Sequence, residues 1–194
     1  MPSRGFDFTA AMRRLCADMA RRLPELGHID LDRVAVSFCQ ARKRVAHGLQ
    51  ASLTPLRFEG GARSITRRGI THTCQAVVDT DGREFLYILN FYLPRFLDHS
   101  FEEKLSTVVH ELWHISPRFD GDLRRHAGRC YAHGSSQRQY DAQMDALART
   151  WLALDPPHHL FGFLEKSFRE LADEHGGLFG THVPLPKLIA SKAA

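Results

Sequence analysis

The first apolar positions of the chain fall at helical spacing. Phe8, Met12, Leu15, Cys16, Met19 and Leu23 recur every three to four residues, with arginines on the other side. That spacing predicts an amphipathic helix over 6–23, which Pro24 and Gly27 end. The period then shortens. The run 34–39 (VAVSFC) is β-branched and aromatic and predicts a strand, 49–58 a second extended segment and 72–78 a third. The strongest strand signal is 85–92 (FLYILNFY). The turn residues Asp79-Thr80-Asp81-Gly82 precede it and predict a β-hairpin between it and 72–78.

Helical spacing returns at Ser100. Ser100 and Glu103 form a capping box, and Phe101, Leu105, Val108, Val109 and Leu112 make one apolar stripe that must face a core. Pro117 keeps this helix from running far past Ser116. A loop rich in Gly, Asp and Arg fills 117–135. A long helix is expected over 136–154, with Tyr140, Met144, Leu147, Ala148 and Trp151 on its apolar face, and a further helix over 159–174. Gly176-Gly177 then releases a proline-punctuated, apolar tail, 178–194, expected along a sheet edge or in a cleft. Strands followed by helices predict an α+β fold: a small mixed or antiparallel sheet on the 100–116 helix, with further helices after it. At 194 residues the chain is expected to form one domain over 1–194.

Composition changes this picture little. The chain is 43% hydrophobic and 25% charged, in the ordinary globular range. Arginines interrupt 6–26, so that segment reads as neither a signal peptide nor a membrane span, and a cytoplasmic location with no membrane contact is expected. Cys16, Cys39, Cys74 and Cys130 are scattered without a C-x-x-C pair and read as reduced thiols, not as a cysteine metal site. The net charge is +4, with small basic groups such as Arg42-Lys43-Arg44 and Arg67-Arg68. Such groups are compatible with weak nucleic-acid association or, more blandly, with scattered solvated faces.

The chemistry concentrates in 110–114, HELWH. His110 and His114 stand four apart on the expected helix, so both imidazoles leave one face and can reach one tetrahedral Zn²⁺. Glu111 is rotated roughly 100° from His110, beside the metal, where its carboxylate can act as general base on the activated water. The bland alternative is two histidines meeting on a helix by chance, against which stand the defined start, the core stripe and the strand just before the helix. That strand is expected to hold an extended substrate by β-augmentation. Two histidines leave a third ligand to find. His133, at the start of the next helix, is the first choice; His126, Asp141 with Asp145, and Asp120 follow. Tyr131, Tyr140, His126 and Arg129 are candidates for stabilising the oxyanion. Asp120, Asp122, Arg124 and Arg125 are expected to make ion pairs that hold the loop.

The stretch 110–134, HELWHISPRFDGDLRRHAGRCYAHG, resembles the signature of a phage metallopeptidase family, small proteins with the pattern HELWHI and FDGD…R…HG. The 42–48 region and the ending GTHVPLPKLI are similar to that family too. More distantly, the order of strand, H-E-x-x-H helix and later His-Gly is similar to SprT-like zinc proteases, whose third ligand maps onto His133. The chain lacks their aromatic residue after the Gly and their cysteine zinc ribbon. The stretch 141–148 is similar to the acidic-ligand helix of ImmA/IrrE-type peptidases. These resemblances imply a zincin-like fold, a zinc cofactor and a protein or peptide substrate. The leading expectation is a zinc metalloendopeptidase. Its competitors are a DNA-associated zinc protein acting on DNA-bound proteins and a catalytically silent zincin-fold binding protein.

Overall fold

A computed structural model describes residues 5–41, 48–125 and 137–192. The elements are strand β1 (Phe6–Asp7), helix α1 (Phe8–Arg22), strands β2 (Val34–Gln40), β3 (Ala51–Pro55), β4 (Ser64–Arg67), β5 (Ile70–Cys74) and β6 (Tyr87–Leu93), helices α2 (Phe101–Trp113), α3 (Gln137–Ala153) and α4 (Phe168–His175), and strands β7 (Leu178–Phe179) and β8 (Leu188–Lys192). The fold is mixed α+β, with four α-helices and three small sheets among the described residues. None of the helices is long and apolar enough to cross a membrane.

The central sheet has the order β2-β6-β3, with β6 parallel to β2 and antiparallel to β3. Alternation along the strands explains both faces. Val34 and Val36 of β2 and Tyr87, Leu89 and Phe91 of β6 point into the main core against α1, α2 and α3. Ala35 and Ile88 point the other way, under Cys74, Val77, Phe85 and Val183. With both faces covered, β6 reads as a nearly continuous apolar run and not as an alternating one.

Helix α1 begins where the Asp7 carboxylate accepts from the Ala10 amide at 3.0 Å. Its Asp18, 4% exposed, accepts from Arg22 and from the Trp151 indole of α3 at 3.1 Å, tying the two helices together. Helix α2 starts on the expected capping box of Ser100 and Glu103. One of its buried residues is a cation: Lys104, 2% exposed, donates to the carbonyls of Leu164 and Lys166 at 2.8 and 2.9 Å. Those two carbonyls lie in the bend that brings the chain back over α2.

Two expected features take another form, while the tail takes one of the two places expected for it. The 72–78 and 85–92 segments do not pair as a hairpin. They meet only beside the turn, at the Val78–Glu84 bridge and the 2.9 Å hydrogen bond from the Phe85 amide to the Val77 carbonyl, because β6 is already paired on both edges and β5 belongs to a separate sheet, β4-β5-β8. The expected helix over 159–174 is two 3₁₀ turns followed by the shorter α4, which starts afresh on its own capping box, Ser167 with Glu170. The tail lies on sheet edges: β7 pairs parallel with β1 and β8 antiparallel with β5.

Candidate metal centre and active site

Helix α2 delivers His110 and Glu111 from its last turn, with His114 as its C-cap residue. The stripe of Leu105, Val108, Val109 and Leu112 is buried against the core and turns the opposite face outward. On that face the His110 and His114 Nε2 atoms stand 3.0 Å apart, with the rings nearly perpendicular at 78°. Two nitrogens on one tetrahedral zinc, each at about 2.0–2.1 Å, are separated by about 3.3 Å. The imidazole pair therefore fits a shared ion of this kind with a shift of a few tenths of an ångström. The Tyr140 ring of α3, 4% exposed, packs on both imidazoles, its centroid 5.0 Å from His110 and 6.0 Å from His114.

Glu111 is 8% exposed and directed at the outer edge of the sheet. Burial pushes its carboxyl up to about 7, and a hydrogen bond from the Leu53 amide pulls the other way. A dication beside the carboxyl would favour its ionised form. Leu53 lies on β3, an edge strand. This corrects the expectation for the strand just before the helix: β6 is central and paired on both sides, so β3 is the edge strand that reaches Glu111 of α2. A cavity of about 770 Å³ opens here, lined by Gln50 and Ala51, by His110 and Glu111, and by Asp141 and Asp145 of α3. None of the described tail residues lines it.

The loop after α2 is built around the FDGD motif. The Phe119 ring packs on Tyr87 at 5.4 Å, and the Tyr87 hydroxyl accepts from the Gly121 amide and donates to the Asp122 carbonyl, both at 2.9 Å. The Asp122 carboxylate accepts from Arg125, from its neighbour Leu123 and from the Gly60 amide. Burial raises its pKa, but these bonds outweigh burial and hold the carboxyl below its ordinary range. Gly121 has φ +86°, and a Cβ there would meet the Arg57 Cγ at 2.5 Å, so the position requires glycine. Arg124 lies over the Trp113 ring at 4.1 Å and donates to the Trp113 carbonyl at 2.7 Å, pinning the loop to the end of α2. Of the expected loop-holding ion pairs Asp122–Arg125 is present, whereas Asp120 pairs with Arg118 and Arg124 packs on Trp113.

The third-ligand candidates separate accordingly. His133 and His126 lie outside the described residues, as do Tyr131 and Arg129. Asp120 is engaged by Arg118 and by the Asp122 amide, and it does not line the cavity. Asp145 accepts from the Ser106 hydroxyl. Asp141 lines the same cavity as His110 and Glu111. Among the described residues no group of three His, Cys, Asp or Glu side chains is gathered to hold a metal ion. Three contributors carried no distinctive sequence signal: the Leu53 amide, the Tyr140 ring as a wall for both imidazoles, and the Trp113–Arg124 clamp. The sequence offers Tyr140 as an apolar-face residue of α3 and as an oxyanion candidate, and neither reading gives its contact with both histidines.

Comparison with known proteins returns no matching family model, no matching curated protein and no matching solved structure. The resemblance to phage metallopeptidases thus remains one of motifs, and the functional reading rests on the site's own geometry.

Proposed function

We propose that the protein is a zinc-dependent metalloendopeptidase of zincin-like build. The observation that carries this reading is the pair of Nε2 atoms 3.0 Å apart on α2, with the buried Glu111 carboxylate beside them at the edge of β3. His110 and His114 hold the metal, and His133 is assigned as third ligand with Asp141 as its alternative. Zinc bound there supplies Lewis acidity that makes hydroxide available near neutral pH and polarises a carbonyl. Glu111 takes the proton of the attacking water and returns it to the leaving amine. The Tyr140 ring holds both imidazoles in place. An extended peptide would lie beside β3 in the cavity, whose acidic lining (Glu102, Glu103, Asp141 and Asp145 against Arg149) favours cationic side chains.

The test is Glu111→Gln, assayed on an unstructured, lysine- and arginine-rich protein with metal content followed in parallel. The reading expects cleavage to fall about 10²–10⁴-fold while zinc is retained. Cleavage by the variant at the wild-type rate would remove Glu111 as the base and the reading with it.

A further inference from the structure

The sheet β4-β5-β8 meets the core at its Cys74 end and differs from the rest of the molecule in charge. Its three strands pair with one another, and none of their described residues is buried. Its Cys74 end packs over Ala35 and Ile88, while the opposite end, around Arg67 and Ile70, is exposed and projects as a wing. Residues 62–78 contain Arg63, Arg67 and Arg68 and no acid, and residues 183–192 contain Lys187 and Lys192 and no acid. The tip is a two-residue hairpin loop between the paired Arg67 and Ile70. Its loop residues Arg68 and Gly69 both have positive φ, 51° and 73°, the pattern of a tight type I′ turn. Arg63 is paired with Glu84, whereas Arg67 and Arg68 make no ion pair among the described residues.

We propose that this arginine-tipped wing is a docking surface for double-stranded DNA. The strands of a β-sheet can enter a groove of B-form DNA, and here the tight β4–β5 turn leads, whereas the A-form major groove is too narrow for side chains to read. Arginines fixed on a stiff turn can pair with phosphates, and the hydroxyls of Ser64, Thr66, Thr71, Thr73 and Ser191 share one face by the strand register and supply further phosphate partners. Ile70, 43% exposed, stands beside the tip, where an apolar side chain meets sugars and thymine methyls. Leu188 and Ile189 are also exposed, which together with the positive charge suits an anionic membrane. However, neither 62–78 nor 183–192 contains an aromatic residue, the usual anchor at a membrane interface. None of the wing's residues lines the cavity at Glu111, so this inference stands apart from the peptidase reading.

The test uses the full chain and its Arg67→Gln/Arg68→Asn variant, in which Asn tolerates the positive φ. Binding to a short labelled DNA duplex is followed by fluorescence anisotropy across a salt series. Co-sedimentation with phosphatidylserine vesicles is run beside it. Wild-type protein is expected to bind the duplex with steep salt dependence. The variant, at unchanged melting temperature, is expected to bind on the order of ten-fold more weakly at low salt and to lose about 2 from the log–log slope. Absence of duplex binding at low salt, or a wild-type slope in the variant, would overturn the proposal. So would vesicle binding without duplex binding, which would assign the wing to a membrane.

Discussion

Asp18 shows how one buried carboxylate can join two helices. Burial pushes its pKa up, but hydrogen bonds from Arg21, Arg22 and Trp151 and the charge of Arg22 outweigh that, leaving the folded value below the ordinary one. A group with a depressed folded pKa contributes stability that is complete above its unfolded value, about 3.9, and lost as pH falls through the folded value. Asp18→Asn keeps an acceptor for the Trp151 indole and loses the ion pairs, so a cost of about 1 kcal/mol is expected at neutral pH. In thermal melts the gap between variant and wild type should close below about pH 4. A gap that stays constant down to the lowest pH would show that Asp18 acts through shape alone. At Lys104 the partners are carbonyls, and Lys104→Met should cost about 1–3 kcal/mol in denaturant unfolding by stranding those of Leu164 and Lys166.

At the scale of elements, the loop after α2 is held by Tyr87 and Gly121 more than by its exposed charges. Tyr87→Phe removes the hydroxyl that bridges the Gly121 amide and the Asp122 carbonyl and should cost about 1–3 kcal/mol. Gly121→Ala combines positive φ with a clash at Arg57 and should cost about 2–4 kcal/mol. A Gly121→Ala protein as stable as wild type by urea titration would contradict the tight approach of the two segments. Elements set by local chemistry were legible in the sequence: α1 from its stripe, α2 from the Ser100–Glu103 box, and the His110–His114 face from four-residue spacing. Pairing was not. The apolar run of 85–92 fits a hairpin with 72–78 and a central strand equally well, and only the covering of both sheet faces makes it central. The second capping box, Ser167 with Glu170, is a local signal that a single long helix over 159–174 overlooks.

For the whole molecule, the helices, the central sheet and the 110–114 site form one assembly. The core stripe of α2 fixes the face on which the imidazoles emerge, and β3 brings the Leu53 amide to Glu111 across the sheet edge. The two proposed metal donors and the proposed base were readable because helix geometry sets their spacing. The proposed third donor was not, because the choice between His133 and Asp141 turns on tertiary placement that no periodicity encodes. The most direct measurement is zinc content by elemental analysis of the purified wild-type chain beside His110→Ala, both dialysed under identical conditions without chelator. The expected result is one zinc per wild-type chain and loss of most of it in the variant. A wild-type chain that holds no zinc, even after incubation with a stoichiometric supply, would contradict the metallopeptidase reading at its root.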